Sequence, residues 1–307
     1  MIAARLHYRS SRLTLLGLHA ILGCQFLYCQ TGCQAQNPPA QPSELGKNAP
    51  LLIHSEELDE SSGLGTSRLQ DKYFWTHNDS GDSPRLFHFS LDTLKPQELH
   101  VVGAKAIDWE DMAAANIDDK PTLIIGDIGD NGARRDSVQL YLLDEPTQPV
   151  SSVTVRQIID VRYPDGPIDC EALAYDSDQR RILLVGKTRL PLAPVYAIPL
   201  PPYRELQPAA MQQVVAERIA TLPIPMVTAM DIRRDNRQLA ITGYRDLFLF
   251  DRQQDETWEI ALSKTPSHNA LPPLRQIEAI AYDVHNRLWI TSEANQMPLQ
   301  QVIIDSD

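Results

Sequence analysis

Three glutamates at equivalent places in a repeating pattern, Glu110, Glu171 and Glu278, carry most of the chemistry this sequence offers. Each is the second residue of a short apolar stretch: Trp109-Glu110-Asp111-Met112-Ala113, Cys170-Glu171-Ala172-Leu173-Ala174 and Ile277-Glu278-Ala279-Ile280-Ala281. Some 15 to 17 residues later a second β-rich run closes on Asp127, Lys187 or Glu293. Clustered carboxylates repel and desolvate one another, so they either take up protons at raised pKa or share a cation. An oxygen-rich set with no nearby cysteine and few histidines suits Ca2+ better than Zn2+. Glu110, Asp127, Glu171, Glu278 and Glu293 are the candidate metal ligands. The alternative, open for each acid taken singly, is that these residues cap turns and form ion pairs between repeats.

Other polar residues fall beside the same positions: Asp108, Asp130, Asn131 and the loop from His77 to Asp82. His77 and Lys187 are the residues that would contact a substrate. As a general base His77 would be oriented by Asp79 or a neighbouring carboxylate; the favoured reading is a structural histidine tying its loop to backbone. Cys170, at a strand position next to Glu171, reads as a buried structural thiol. Gly186-Lys187-Thr188 lacks the first glycine of a phosphate-binding loop, and no HExxH, GxSxG or paired CxxC motif occurs.

The elements that must position these residues repeat five times. First strands carry Ser62, Glu110, Glu171, Thr228 and Glu278 at what we term the ring position, and second strands end at Asn78, Asp127, Lys187, Tyr244 and Glu293. Third strands follow at Leu86 to Asp92, Val138 to Asp144, Val195 to Leu200, Asp246 to Asp251 and Gln301 to Asp305, rich in aromatic and β-branched residues. Fourth strands are expected at Glu98 to Gly103, Val153 to Val161, Val214 to Thr221 and Thr257 to Leu262. The fifth copy lacks one, and Leu51 to Leu58 can supply it. The expected fold is all-β, a five-bladed β-propeller of four-stranded blades closed by the N-terminal strand. A sixth, degenerate blade in the proline-rich region from 191 to 225 is the alternative; a β-sandwich would not need one unit repeated about every 50 residues. In an antiparallel pair the start of the first strand lies beside the end of the second. Glu110 should therefore meet Asp127, Glu171 should meet Lys187, and Glu278 should meet Glu293, all around the mouth of the central channel.

The stretch from Glu278 to Asp283, with Leu288 to Glu293, resembles a blade motif of β-propeller phytases. The resemblance implies calcium held by Glu278 and Glu293, with Asp283 a weaker match, and calcium bridging substrate phosphate and activating water. It covers about twenty residues. A more diffuse likeness, through ELDESSGLG, WTHNDSGDS, DWEDMA and GDIGDN, is to exported bacterial propellers of the phytase-like or NHL/WD40-like type, and implies no settled activity. Two departures stand out. Ala279 replaces the motif's glycine, and no compact Arg/Lys run is present, leaving Lys187, Arg189, Arg134 and Arg135 as substitutes.

Residues 1–33 begin with Arg5, Arg9 and Arg12 and continue into a short apolar run, which reads as an export signal rather than a membrane span. Small residues precede Cys24 and Cys33, so a lipoprotein anchor at either is an open expectation. Residues 34–50 form a proline-rich linker and 51–307 the propeller. With Cys24, Cys29 and Cys33 in the leader, Cys170 is alone in the domain and no disulfide framework can hold the fold. The chain has 28 basic and 40 acidic residues; without the three leader arginines 25 face 40, about −15. Such a surface repels nucleic acid and anionic lipid and favours cations or cationic partners.

The expected function is an exported, periplasmic, extracellular or lipid-anchored binding module for a protein or small molecule, with a Ca2+-binding mouth. The alternatives are a calcium-dependent phosphoric ester hydrolase and a structural protein with no small-molecule site.

Overall fold

The computed structural model describes residues 49–200, 211–294 and 296–304. The expected leader, its three cysteines and most of the linker lie outside these residues.

Five β-sheets form the blades of a propeller. From the axis outward, blade 1 consists of Ser61–Thr66, Tyr73–Asn78, Arg85–Ser90 and Gln97–Val102. Blade 2 consists of Trp109–Ile117, Lys120–Asp127, Val138–Asp144 and Gln157–Arg162. Cys170–Asp176, Arg181–Gly186, Ala193–Pro199 and Glu217–Leu222 make blade 3. Blade 4 is Val227–Ile232, Gln238–Gly243, Asp246–Asp251 and Ser267–Ala270. In blade 5, Ile277–Tyr282, Leu288–Ser292 and Gln296–Val302 are joined by Leu51–His54, which pairs antiparallel with Gln296–Val302.

Two outer strands depart from expectation. The stretch read as one strand from Val153 to Val161 divides: Ser152–Thr154 pairs parallel with the edge of blade 1, and only Gln157–Arg162 belongs to blade 2. Met211–Val215 likewise crosses to pair parallel with blade 2, while Glu217–Leu222 completes blade 3. Among the described residues the proline-rich region therefore supplies outer strands to two blades rather than a sixth sheet. Each crossing strand covers an edge that would otherwise present unpaired backbone groups.

Thr257 to Leu262, expected as a strand, is instead a helix at Trp258–Leu262 with Thr257 as its N-cap. Trp258, Ala261 and Leu262 are buried, the i, i+3, i+4 spacing of one helical face, and they pack between blades 3 and 4. Glu259 in its first turn pairs with Arg181 at 2.6 Å. The fourth strand of blade 4 follows at Ser267–Ala270.

Small residues crowd the inner strands: Gly63, Gly65, Ala113 to Ala115, Ala172, Ala174, Ala229, Ala279 and Ala281. Five strands converging on one axis leave little room for anything larger. Away from the axis the blades separate, and large side chains fill the wedges, as Trp75, Trp109, Leu123 and Tyr141 do between blades 1 and 2. Each such fully buried side chain contributes about 1.5–3 kcal/mol.

Polar ties lock the inner strands together. Asp111 is completely buried; its Oδ1 accepts from Met112 N at 2.8 Å, and its Oδ2 accepts from Leu173 N of blade 3 at 2.8 Å and Met230 N of blade 4 at 3.2 Å. One carboxylate thus spans three blades and fills the axis midway. Asp231 accepts from Tyr282 N at 2.7 Å, and Thr66 Oγ1 donates to the Tyr282 carbonyl at 2.7 Å, joining blades 4 and 1 to blade 5.

Candidate metal centre

All five inner strands are interrupted at the same place. Pairing with the second strand slips between Ser61 and Gly63, Trp109 and Asp111, Cys170 and Ala172, Val227 and Ala229, and Ile277 and Ala279. The residue skipped is in each case the one at the ring position: Ser62, Glu110, Glu171, Thr228 or Glu278. A bulge of this kind leaves one residue unpaired and re-aims its side chain. The ring position is therefore a repeated structural device.

What the device does depends on the residue. Ser62 Oγ donates to the Glu110 carbonyl at 2.7 Å, and Thr228 Oγ1 to the Ile277 carbonyl at 2.8 Å, so each ties its blade to the next. At the other three bulges stand carboxylates. Oxygens of Asp79, Asp108 and Glu110 lie within 4.8 Å of one another, as do those of Glu110, Asp169 and Glu171. Glu110 belongs to both groups and is their hinge. Gly129 closes the site from behind: a Cβ there would fall 2.2 Å from Glu110 Oε1 and 2.6 Å from Asp108 Oδ2. The two carboxylates occupy space that any other residue would fill.

The acids perturb one another strongly. Burial, then Glu171, Asp79 and Asp108, drive Glu110 well above the usual carboxylate range. Burial lifts Glu171 to about 7 against the opposing pull of Lys187, and Glu110 and Glu171 share a hydrogen bond that a proton must supply. Asp108 rises to about 6 through burial and the fields of Asp79 and Asp169. Glu278 rises to about 8, chiefly through burial, while Lys187 opposes the rise. Burial would lower the Lys187 ammonium, but its pairing with Glu171 Oε1 at 3.0 Å outweighs that and raises its pKa.

The residues expected to form the site separate into those the fold gathers and those it does not. Glu110 and Glu171 meet directly. Glu278 faces Glu171 and Lys187 across the mouth, with Gln276 Nε2 at 3.4 Å. Glu293 adds to the field on Glu278 and Glu60. Asp127 is placed differently from the expected pairing, because the bulge puts it opposite Trp109 instead of Glu110. It is fully buried behind Asp108, where Oδ1 accepts from Arg135 Nη1 at 2.8 Å and Asp108 N at 3.1 Å, and Oδ2 has no partner. Arg135 is committed to Asp127 and to the Gly129 carbonyl, also at 2.8 Å.

His77 is completely buried. Its ring sits edge-on to Trp109 at 5.4 Å and over Gly63, where a Cβ would come within 2.3 Å of Nε2. Nδ1 contacts the Asn78 carbonyl at 2.9 Å, Nε2 has no partner, and burial lowers the pKa. The ring therefore meets no solvent at the mouth. Cys170 is also buried, and burial raises its thiol pKa.

Sequence reasoning passed over Asp169 and Gly129. A signal for Asp169 exists, since Asp108-Trp109-Glu110 and Asp169-Cys170-Glu171 repeat an Asp-x-Glu pattern in adjacent blades. Beside this site a cavity of about 430 Å3 is lined by Asp130, Asp169, Lys187, Arg189 and Tyr244, with the Lys187 ammonium 5.4 Å from the Tyr244 ring centre. The donor set at the bulges is all oxygen, as hard divalent cations require, and the Gly129 cradle leaves the carboxylates free to converge.

No family model and no curated protein matches the sequence. Among solved structures the chain is similar to one titled "Structure of Dos1 propeller", at 13% identity and TM-score 0.36, covering 80% of this chain and 60% of that one. It is also similar to hydrazine synthase of Kuenenia stuttgartiensis, at 8% identity and TM-score 0.41, covering 80% and 84%.

Proposed function

We propose that this propeller is a binding module whose acidic mouth takes up a divalent cation, Ca2+ before others, and through it a small molecule or protein partner. The observation that carries this reading is the overlap of two three-carboxylate groups at Glu110. Burial and mutual repulsion make that arrangement costly without a neutralising charge, and a cation bound by Asp79, Asp108, Glu110, Asp169 and Glu171 would supply it. Lys187 neutralises only one edge of the cluster. The same proposal includes export of the chain, with or without a lipid anchor, as the leader implies.

A second reading, a phytase-like phosphoric ester hydrolase, draws support from the cavity in which Lys187, Arg189 and Tyr244 stand beside Asp169. Lys187 would contact the substrate; the burial of His77 weighs against its serving as a general base. Thermal melting of chelator-treated protein with and without calcium, run beside an assay of phosphate release from inositol hexakisphosphate and an aryl phosphate, separates the readings. Stabilisation without turnover is expected. Turnover that depends on calcium would replace the binding module by the hydrolase, and no shift with any divalent ion would remove both.

A further inference from the structure

The far end of the inner strands, opposite the bulges, holds a cavity of about 180 Å3 walled by Arg68, Asn116, Tyr175, Asp231, Arg233 and Arg234. Arg68 follows the inner strand of blade 1, and Arg233 and Arg234 follow that of blade 4. Two of the three guanidiniums have no carboxylate partner among the described residues. Arg68 donates to the Ala114 carbonyl from both Nε, at 2.6 Å, and Nη2, and Arg234 Nη2 donates to the Ser67 carbonyl at 2.9 Å and to Thr66 Oγ1 at 3.4 Å, while Arg234 Nε is buried with no acceptor. Arg233, by contrast, pairs with Asp235 at 2.9 Å.

The neighbouring acids are engaged elsewhere. Asp231 accepts from Ile232 N at 2.8 Å and Tyr282 N at 2.7 Å. Asp283 pairs with Arg287 at 2.6 Å, and Glu145 takes Trp75 Nε1 at 2.9 Å and Arg68 N at 2.8 Å. Burial, and after it the field of Arg234, bring Arg68 down to about 10. Set against Asp231, the two guanidiniums leave the cavity with an excess of one positive charge on a protein whose overall charge is −12.

We propose that this cavity binds a small monoanionic carboxylate, held by the paired guanidiniums of Arg68 and Arg234. Charge-assisted hydrogen bonds from a guanidinium to a carboxylate are among the stronger ones, and Nη1 of each side chain is left to make them. Asp231 on the same wall disfavours a dianion such as phosphate. The ligand need only be a few non-hydrogen atoms in size.

Titrating the full chain with acetate at constant ionic strength, while following the arginine Nε–H resonances by NMR, tests this directly. Saturable shifts at Arg68 and Arg234 are expected, with chloride producing none. Arg234→Gln should weaken acetate binding by about tenfold or more, as loss of a charged hydrogen bond does. Arg234→Lys, which keeps the charge and loses the fork, should also weaken it. Shifts that never saturate and are matched by chloride would mean screening alone and overturn the proposal. Tighter binding of inorganic phosphate than of acetate would overturn the assigned ligand class. Should a variant fail to fold, the wild-type titration still decides.

Discussion

The two ends of the ring carry opposite charge on one framework, and they acquire it in different ways. At the acid end, Glu110 and Glu171 stand on strand bulges, and Asp79, Asp108 and Asp169 beside the strands bring oxygens within 4.8 Å of theirs. At the basic end, long side chains reach in from the turns that follow the inner strands, and Arg68 and Arg234 are steadied by backbone carbonyls. The acid end presents closely spaced oxygens, suited to a small ion, while the basic end presents guanidiniums, suited to a planar anion. Chemistry enters this fold where strand regularity breaks or stops.

Asp111 separates the two ends, and its loss should produce the largest effect. Asp111→Ala would leave three buried backbone amides of blades 2, 3 and 4 without their acceptor, costing about 4 kcal/mol. Chemical denaturation measures this, and a cost below about 1 kcal/mol would show that the two ends do not depend on it.

Next in size is the response of the acid end to pH. Asp108, Glu171 and Glu278 have pKa values raised to about 6, 7 and 8, above an unfolded value of about 4. A raised acid favours the folded state while it is protonated. That contribution is complete below about pH 4 and is lost as pH climbs through about 6 to 8. Without divalent cations, stability should fall by several kcal/mol between about pH 5 and pH 8.5. Calcium should flatten the decline, because the cation takes over from the protons. Thermal melts across this range check both parts, and a cation-free melting temperature that rises with pH would contradict the sign.

Gly129→Ala should separate the ends more selectively. The added methyl must displace Glu110 or Asp108, costing about 2 kcal/mol of overpacking and abolishing the calcium response, while acetate binding at Arg68 and Arg234 stays unchanged. Smallest is Ser62→Ala, which removes a tie to blade 2 and should cost about 1 kcal/mol. Calcium binding should be unaltered, since the uncharged ring positions act mechanically; melts with and without calcium distinguish the two effects.

The blades were readable because apolar strand runs recur at regular spacing in every repeat. The bulges were not, since a period of two assumes unbroken pairing, and one skipped residue moves Asp127 from Glu110 to Trp109. The helix at Trp258–Leu262 escaped for a related reason: five residues with a buried Trp and Leu fit a strand as readily as one helical turn, and only packing between blades 3 and 4 decides. Asp169 was legible in the repeated Asp-x-Glu pattern. Arg68 and Arg234 were not, because they lie far apart in the chain and belong to no motif.

Calcium titrated calorimetrically into chelator-treated protein at about pH 9, above the raised values of Asp108, Glu171 and Glu278, bears most directly on the acid end. The geometry predicts saturable binding to the wild-type chain that is lost in the Glu110→Gln, Glu171→Gln double variant. Absence of saturable heat from the wild type, or binding unchanged in a folded double variant, would contradict it.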